Sequence, residues 1–164
     1  MKVLIISDTH GKHRNLEKVL KLEQPFDKMI HLGDAEGYED YIEEIAGCPL
    51  EIVAGNCDFF SSLPQEKEIM IGKYKILITH GHYYNVNAGI QDIKQEAHGR
   101  DCDIVMFGHT HRPLVNYGKR VIAVNPGSIS YPRQEGKQPS YMIMTVEEGK
   151  DVRFQIKNLV TIHS

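Results

Sequence analysis

KVLIISDTH, residues 2–10, is the stretch on which the reading of the fold turns. Val3 to Ile6 is an unbroken apolar run rich in β-branched side chains, too short for a helix, and so reads as a buried strand. It runs straight into Ser7-Asp8-Thr9-His10, so a carboxylate and an imidazole follow the strand's carboxyl end. The same arrangement recurs downstream. MIHL runs into Gly33-Asp34, EIVA into Gly55-Asn56-Cys57-Asp58, KILIT into His80-Gly81-His82, and IVMF into Gly108-His109-Thr110-His111.

Helix signals separate these runs. Residues 13–23 carry Leu16, Val19, Leu20 and Leu22 as an imperfect apolar face, with Pro25 just past the end. Residues 37–46 form an acidic helix with Tyr41, Ile42 and Ile45 inward, its carboxylates making the wet face. With strands at 2–7, 28–32 and 50–54, the order is β-α-β-α-β, which implies a mainly parallel sheet with helices on its faces. Residues 66–71 and 74–79 flank Gly72-Lys73 and read as a β-hairpin. A helix at 87–98 and a strand at 103–107 follow. The remainder is β-rich, with strands at 114–117, 120–124, 141–146 and 152–156 and turns at Gly118-Lys119 and Glu148-Gly149. Residues 130–139, with two prolines and several charges, read as a surface loop. No repeat or linker divides the chain, so residues 1–164 are expected to form one domain.

Composition narrows the function classes. Charged residues make up 25% of the 164, with a net charge of −3, an ordinary globular balance. A protein living on the nucleic-acid backbone needs a basic face, so stable nucleic-acid binding is not expected. A phosphate-bearing substrate stays open, because bound cations supply positive charge locally. The apolar run after Met1 is too short for a signal peptide or a membrane span, which makes the cytoplasm the expected location. Cys48, Cys57 and Cys102 lack metal-ribbon spacing and are odd in number; Cys48 and Cys102 read as small buried side chains.

In an open α/β sheet, sites form beyond the carboxyl ends of the strands, so the five motifs should converge on one edge. Carboxylates, imidazoles and an amide oxygen suit Mn²⁺, Fe²⁺, Zn²⁺ or Ni²⁺, and a bridging carboxylate lets such a set hold two ions. Gly33, Gly55, Gly81 and Gly108 beside them are suited to tight turns and close backbone approach.

Taken in order, Asp8-x-His10, Gly33-Asp34, Gly55-Asn56-x-Asp58, His80-Gly81-His82 and Gly108-His109-x-His111 resemble the calcineurin-like metallophosphoesterase superfamily. The similarity is strongest to its small single-domain prokaryotic phosphodiesterases. The resemblance implies a four-layer α/β/β/α sandwich of two mixed sheets flanked by helices, with the β-rich tail similar to the second sheet. It also implies two divalent transition-metal ions, Mn²⁺ before Ni²⁺, Fe²⁺ or Zn²⁺. Asp8, His10 and His111 would hold the first, Asn56, His80 and His109 the second, and Asp34 would bridge. His82 is then a neighbour or substrate contact, and Asp58 supports the site. The implied reaction is hydrolysis of a small phosphodiester by a metal-bound hydroxide. Small members of the family often self-associate, so a homo-oligomer is compatible with the sequence.

One position departs from the pattern. Many members carry Asn-His-Asp/Glu, whose histidine meets the phosphate and is thought to protonate the leaving group; here Cys57 stands in its place. The enzyme is then expected to favour activated esters or to recruit another acid, His82 or His13.

Plainer readings stand beside these. Asp8 could cap a helix and Asn56 could be a turn residue; four partner motifs favour the metal role for both. His31 reads as a satisfied core histidine, and His98 and His163 as surface residues. Asn125-Pro126-Gly127-Ser128 is an ordinary strand-end turn or, by the resemblance, a segment that steadies the site. Arg133 reads first as a solvated arginine and second as a phosphate contact. Three functional rivals remain: a phosphomonoesterase acting on a small metabolite or nucleotide, a protein-interaction scaffold like the retromer subunit of the same fold, and a structural zinc site, which the ligand set fits poorly.

Overall fold

Alternation along the first strand sets the layers of the molecule. In Lys2–Ile6 (β1), Val3 and Ile5 enter one apolar cluster while Leu4 and Ile6 enter another. The computed structural model describes residues 1–159. The elements after β1 are Arg14–Glu23 (α1), Lys28–His31 (β2), Glu39–Ala46 (α2), Leu50–Ile52 (β3), Glu66–Ile71 (β4), Tyr74–Thr79 (β5), Gln91–Gly99 (α3), Ile104–Met106 (β6), Pro113–Tyr117 (β7), Ile122–Pro126 (β8), Ser140–Thr145 (β9) and Arg153–Asn158 (β10).

Two five-stranded sheets result, in the orders β10-β9-β1-β2-β3 and β4-β5-β6-β8-β7. In the first, β1, β2 and β3 are parallel and β9 runs antiparallel to β1. In the second, β5, β6 and β8 are parallel, flanked by antiparallel β4 and β7. Val3, Ile5, Ile30, Ile78, Met106 and Val124 fill the space between the sheets. Leu16, Val19 and Ile42 of α1 and α2 cover the outer face of the first sheet, and Ile93 and Ala97 of α3 cover that of the second. This is the expected α/β/β/α sandwich. Truncating Ile5 to Ala in the central layer is expected to cost about 3 kcal/mol.

The tail departs from expectation. Only β7 and β8 join the second sheet, which begins much earlier with β4, whereas β9 and β10 return to the first. The reason is burial: Met142 and Met144 face the inter-sheet core while Tyr141 and Ile143 face the helices. A strand apolar on both faces belongs in a sheet interior, and β9 takes that position beside β1. The helix expected over 87–98 starts later, at Gln91, after a short 3-10 turn at His82–Tyr84 and turns over residues 85–88. Gly72 opens the β4–β5 turn at φ +57°, the glycine position of a type II′ hairpin. Cys102 is buried and Cys48 half-buried against the α1–α2 layer. His98 forms part of the last turn of α3 and touches Arg120; His163 lies outside the described residues. Among the described residues no helix is long and apolar enough to cross a membrane.

Candidate metal centre

The carboxyl ends of β1, β2, β3, β5 and β6 meet at one edge, stitched by backbone hydrogen bonds between their loops. Asp8 N–H donates to Gly33 O at 3.1 Å, His10 N–H to Asp34 O at 2.9 Å, and Gly108 N–H to His80 O at 3.0 Å. Close approach needs glycine: a Cβ on Gly33 would fall 2.6 Å from His80 Nδ1 and 2.9 Å from Gly55 Cα. The backbone is also strained there. Asp8, His10, Asp34, His109 and His111 have φ of +58°, +48°, +63°, +70° and +59°, a region side chains usually avoid at a cost of about 1–2 kcal/mol each.

Both aspartates are held by one oxygen and bare on the other. Asp8 Oδ2 accepts from Ser7 Oγ at 2.6 Å and from His109 N–H at 3.3 Å. Its Oδ1, buried without a hydrogen bond, faces His111 Nε2 at 3.2 Å and His10 and His80 Nε2 at 3.7 Å. Asp34 Oδ1 accepts from Cys57 N–H at 2.9 Å, and Oδ2 faces His80 Nε2 at 3.2 Å and His10 Nε2 at 3.5 Å.

The imidazoles are oriented from behind. His80 Nδ1 donates to Leu32 O and His111 Nδ1 to Tyr131 O, each at 2.7 Å, which turns both Nε2 atoms toward the aspartates. His10 and His111 Nε2 lie 3.3 Å apart. Two ring nitrogens and two carboxylates converging in this way leave a buried cluster that calls for a cation. Asp8, His10, Asp34 and His111 each bring an atom within 4.8 Å of the others, a spacing suited to one ion. On the other side of Asp34, His109 Nδ1 lies 3.1 Å from Asn56 Oδ1, and the His109 and His80 rings are 5.1 Å apart.

Charge in the cluster is mutually compensating. Burial pushes the Asp8 carboxyl up, but His10, His111 and His80 outweigh it and hold it well below the usual range. Burial pushes His80 down, yet Asp34 and Asp8 raise it to about 8, and the Asp8 hydrogen bond raises His10. A cluster that favours the charged form of an imidazole favours other cations as well.

The remaining predicted residues separate. Asp58 is a brace: Oδ2 accepts from Asp34 N–H at 2.8 Å and Gly55 N–H at 2.6 Å, and Oδ1 from Glu36 N–H at 2.6 Å. Cys57 is half-buried beside Asn56, its thiol pushed up to about 11 by burial and then by Asp34 and Glu36. His82 is half-buried, 5.4 Å from the His80 ring and 6.2 Å from that of His109, and burial lowers its pKa. His13 is not at the cluster; its ring packs on Tyr38 at 4.6 Å and Tyr41 at 4.9 Å.

His31 is a satisfied core histidine. Its Nδ1 accepts from Gly33 N–H at 3.1 Å, so the proton is on Nε2, facing Thr9 Oγ1 at 3.1 Å, and burial lowers its pKa to about 4. The Asn125–Ser128 segment steadies the site: Ser128 Oγ donates to Asp8 O at 3.0 Å, and Asn125 Nδ2 donates to Gly108 O at 3.0 Å.

Several residues escaped the sequence reading. Glu36 Oε2 lies 3.7 Å from His10 Nδ1. Ser130, Tyr131 and Lys137 of the supposed surface loop line an open cleft of about 700 Å³ with His10, His111 and Glu36, together with Arg133, whose second reading is a phosphate contact. Tyr131 contributes a backbone carbonyl, which no residue pattern reveals.

A four-layer sandwich with Asp and His gathered at the ends of its strands is the layout of metal-dependent phosphoesterases, and the chain belongs to the calcineurin-like phosphoesterase superfamily, whose domain matches residues 1–149. Among its relatives, a probable metallophosphoesterase, YsnB, of Bacillus subtilis (strain 168) is 36% identical over 94% of this chain and 90% of its own length. Phosphodiesterase YfcE of Escherichia coli (strain K12) is 27% identical over 86% of this chain and 85% of its own. The crystal structure of a predicted phosphoesterase from Streptococcus pneumoniae TIGR4 is similar with a TM-score of 0.82 and 27% identity, over 96% of this chain and 88% of that one. Vps29 of Entamoeba histolytica, solved with zinc, shares the fold with a TM-score of 0.75 at 21% identity, over 96% of this chain and 99% of that one.

Proposed function

We propose that the chain is a phosphodiesterase working at a centre of two divalent transition-metal ions, Mn²⁺ first among them. Asp8, His10 and His111 would hold one ion, Asn56, His80 and His109 the other, and Asp34 both. The observation that carries this is Asp34 Oδ2, which lies 3.5 Å from His10 Nε2 of one set and 3.2 Å from His80 Nε2 of the other. The bare, buried Asp8 Oδ1 and His80 Nε2 support it, since buried polar atoms are rarely left unpartnered. The chain is read as one domain acting in the cytoplasm.

Bound there, the ions supply a water of lowered pKa and positive charge against the phosphoryl oxygens. The protein's own groups hold the geometry. Leu32 O and Tyr131 O keep the protons of His80 and His111 on Nδ1, so that each Nε2 offers a lone pair. Asp58 fixes the Asp34 loop through two backbone amides of residues 34 and 55. For the leaving group the chain offers the Cys57 thiol, a weak acid, and the half-buried His82. Esters with good leaving groups are therefore its better substrates.

With added Mn²⁺, bis(p-nitrophenyl) phosphate should be hydrolysed faster than p-nitrophenyl phosphate. A marked preference for the monoester would instead favour a phosphomonoesterase. No activity on either, with no transition metal retained, would favour a protein-interaction scaffold of the same fold.

A further inference from the structure

The loop beyond β8 carries cations that form no ion pair among the described residues. Arg133 and Lys137 line the cleft beside His10 and His111, and Lys12 Nζ sits 4.4 Å from the ring centre of Tyr131, another lining residue. Arg133 also borders an adjoining cleft of about 430 Å³, which Arg112 lines as well. None of these four side chains forms an ion pair among the described residues, although the chain carries a net charge of −3. Of the acids nearby, Glu36 lines the same cleft with its carboxylate 3.7 Å from His10 Nδ1, and Glu135 is exposed on the same loop without lining the cleft.

The loop is also fixed to the site. Tyr131 O holds His111 Nδ1, Arg133 N–H donates to His111 O at 3.0 Å, and Tyr131 N–H donates to Ser128 Oγ, which itself donates to Asp8 O. Cations anchored this close to the cluster, in a cleft of about 700 Å³, face whatever part of a substrate extends away from the reacting phosphorus.

We propose that Arg133 and Lys137, with Lys12 beside Tyr131, bind a second anionic group on the substrate, so that the natural diester carries an additional phosphate a few bonds from the scissile one. This rests on the phosphodiesterase reading. Unpaired guanidinium and ammonium groups recognise a phosphate by charge-assisted hydrogen bonds, which hold a substrate without taking part in bond cleavage. The reacting phosphate needs no such help, because the cations that the aspartate–histidine cluster would hold would meet its charge.

The probe is a pair of p-nitrophenyl esters with the same leaving group, that of thymidine 5′-phosphate with and without a 3′-phosphate. The 3′-phosphate should raise kcat/KM about tenfold, mainly through KM, and the advantage should shrink as salt is added. In the double variant Arg133→Gln/Lys137→Gln the ratio between the two esters should fall toward one. Arg133→Lys/Lys137→Arg should keep most of it, and Lys150→Gln, at the opposite edge, should not change it. Because the readout is a ratio on one protein sample, a partly misfolded preparation does not mimic the effect. Equal kcat/KM for the two esters, or a preference that survives the double variant, would overturn the inference while leaving the phosphodiesterase reading intact. Failure to hydrolyse either ester or bis(p-nitrophenyl) phosphate with Mn²⁺ would instead sink that underlying reading.

Discussion

The two edges of the sandwich both use positive-φ backbone and fill it with largely different residues. At the edge away from the cluster, the positive-φ positions are mostly glycines, Gly47 at φ +64°, Gly72 at +57° and Gly149 at +76°, with Asp101 at +57° as the exception. At the edge where the loops after β1, β2 and β6 meet, the same region is occupied by Asp8, His10, Asp34, His109 and His111. Glycine is the low-strain solution, and the far edge takes it at three of these four positions. At the near edge the side chain itself is needed, and the surrounding hydrogen bonds hold it in a conformation it would not choose. The difference separates turns that serve the fold from turns that serve chemistry.

The sharpest break of this comparison is at the bridging position. Asp34→Asn keeps the shape of the loop but removes the charge shared by both histidine sets. We expect kcat/KM to fall about a thousandfold or more, with the fold retained by circular dichroism. Next comes the brace behind it. Asp58→Ala leaves the amides of Asp34, Gly55 and Glu36 without their acceptor, and activity should drop about tenfold to a hundredfold, with weaker Mn²⁺ binding measured by calorimetry.

Away from the cluster, the buried Glu23 ties α1 to the sheet through Lys157 Nζ and Tyr141 OH at 2.8 Å and Lys2 Nζ at 3.1 Å. Glu23→Gln should cost about 3 kcal/mol at neutral pH. Burial pushes this carboxyl up, but its three partners outweigh that and hold it below the usual range. A carboxyl lowered in the folded state adds stability above its unfolded pKa of about 4.3 and loses it as pH falls through the folded value. Denaturant titrations should therefore show the gap between the native chain and Glu23→Gln closing on acidification.

The smallest effects test the strain directly. Gly72→Ala should lower stability by about 1 kcal/mol and leave activity unchanged. His109→Gly should abolish most activity yet cost the metal-free protein little or no stability, measured by thermal unfolding. A large loss of stability there would contradict the claim that the near edge holds its side chains under strain.

Much of this was legible in the sequence because strand, turn and ligand fall in one register. The β-branched run into Asp8 and the Gly33-Asp34 and Gly108-His109 turns announce both the sheet and its functional edge. The sorting of the tail was not read, although Met142 and Met144 alternating with Tyr141 and Ile143 carried the signal of a strand buried on both faces. Tyr131 was invisible for a different reason: it orients His111 by a backbone carbonyl, which every residue possesses. Lys137 looked like ordinary surface charge, and Arg133 read so first and as a phosphate contact second, because their meaning depends on what the loop packs against. His13, a candidate acid by its neighbourhood in sequence, is drawn away by Tyr38 and Tyr41.

Counting bound ions tests the central claim most directly. Purified protein, stripped with chelator and then dialysed to equilibrium against Mn²⁺, should retain two ions per chain, and Asp34→Asn should retain fewer. One ion or none in the native chain, or an unchanged count in Asp34→Asn, would contradict a pair of ions joined by Asp34.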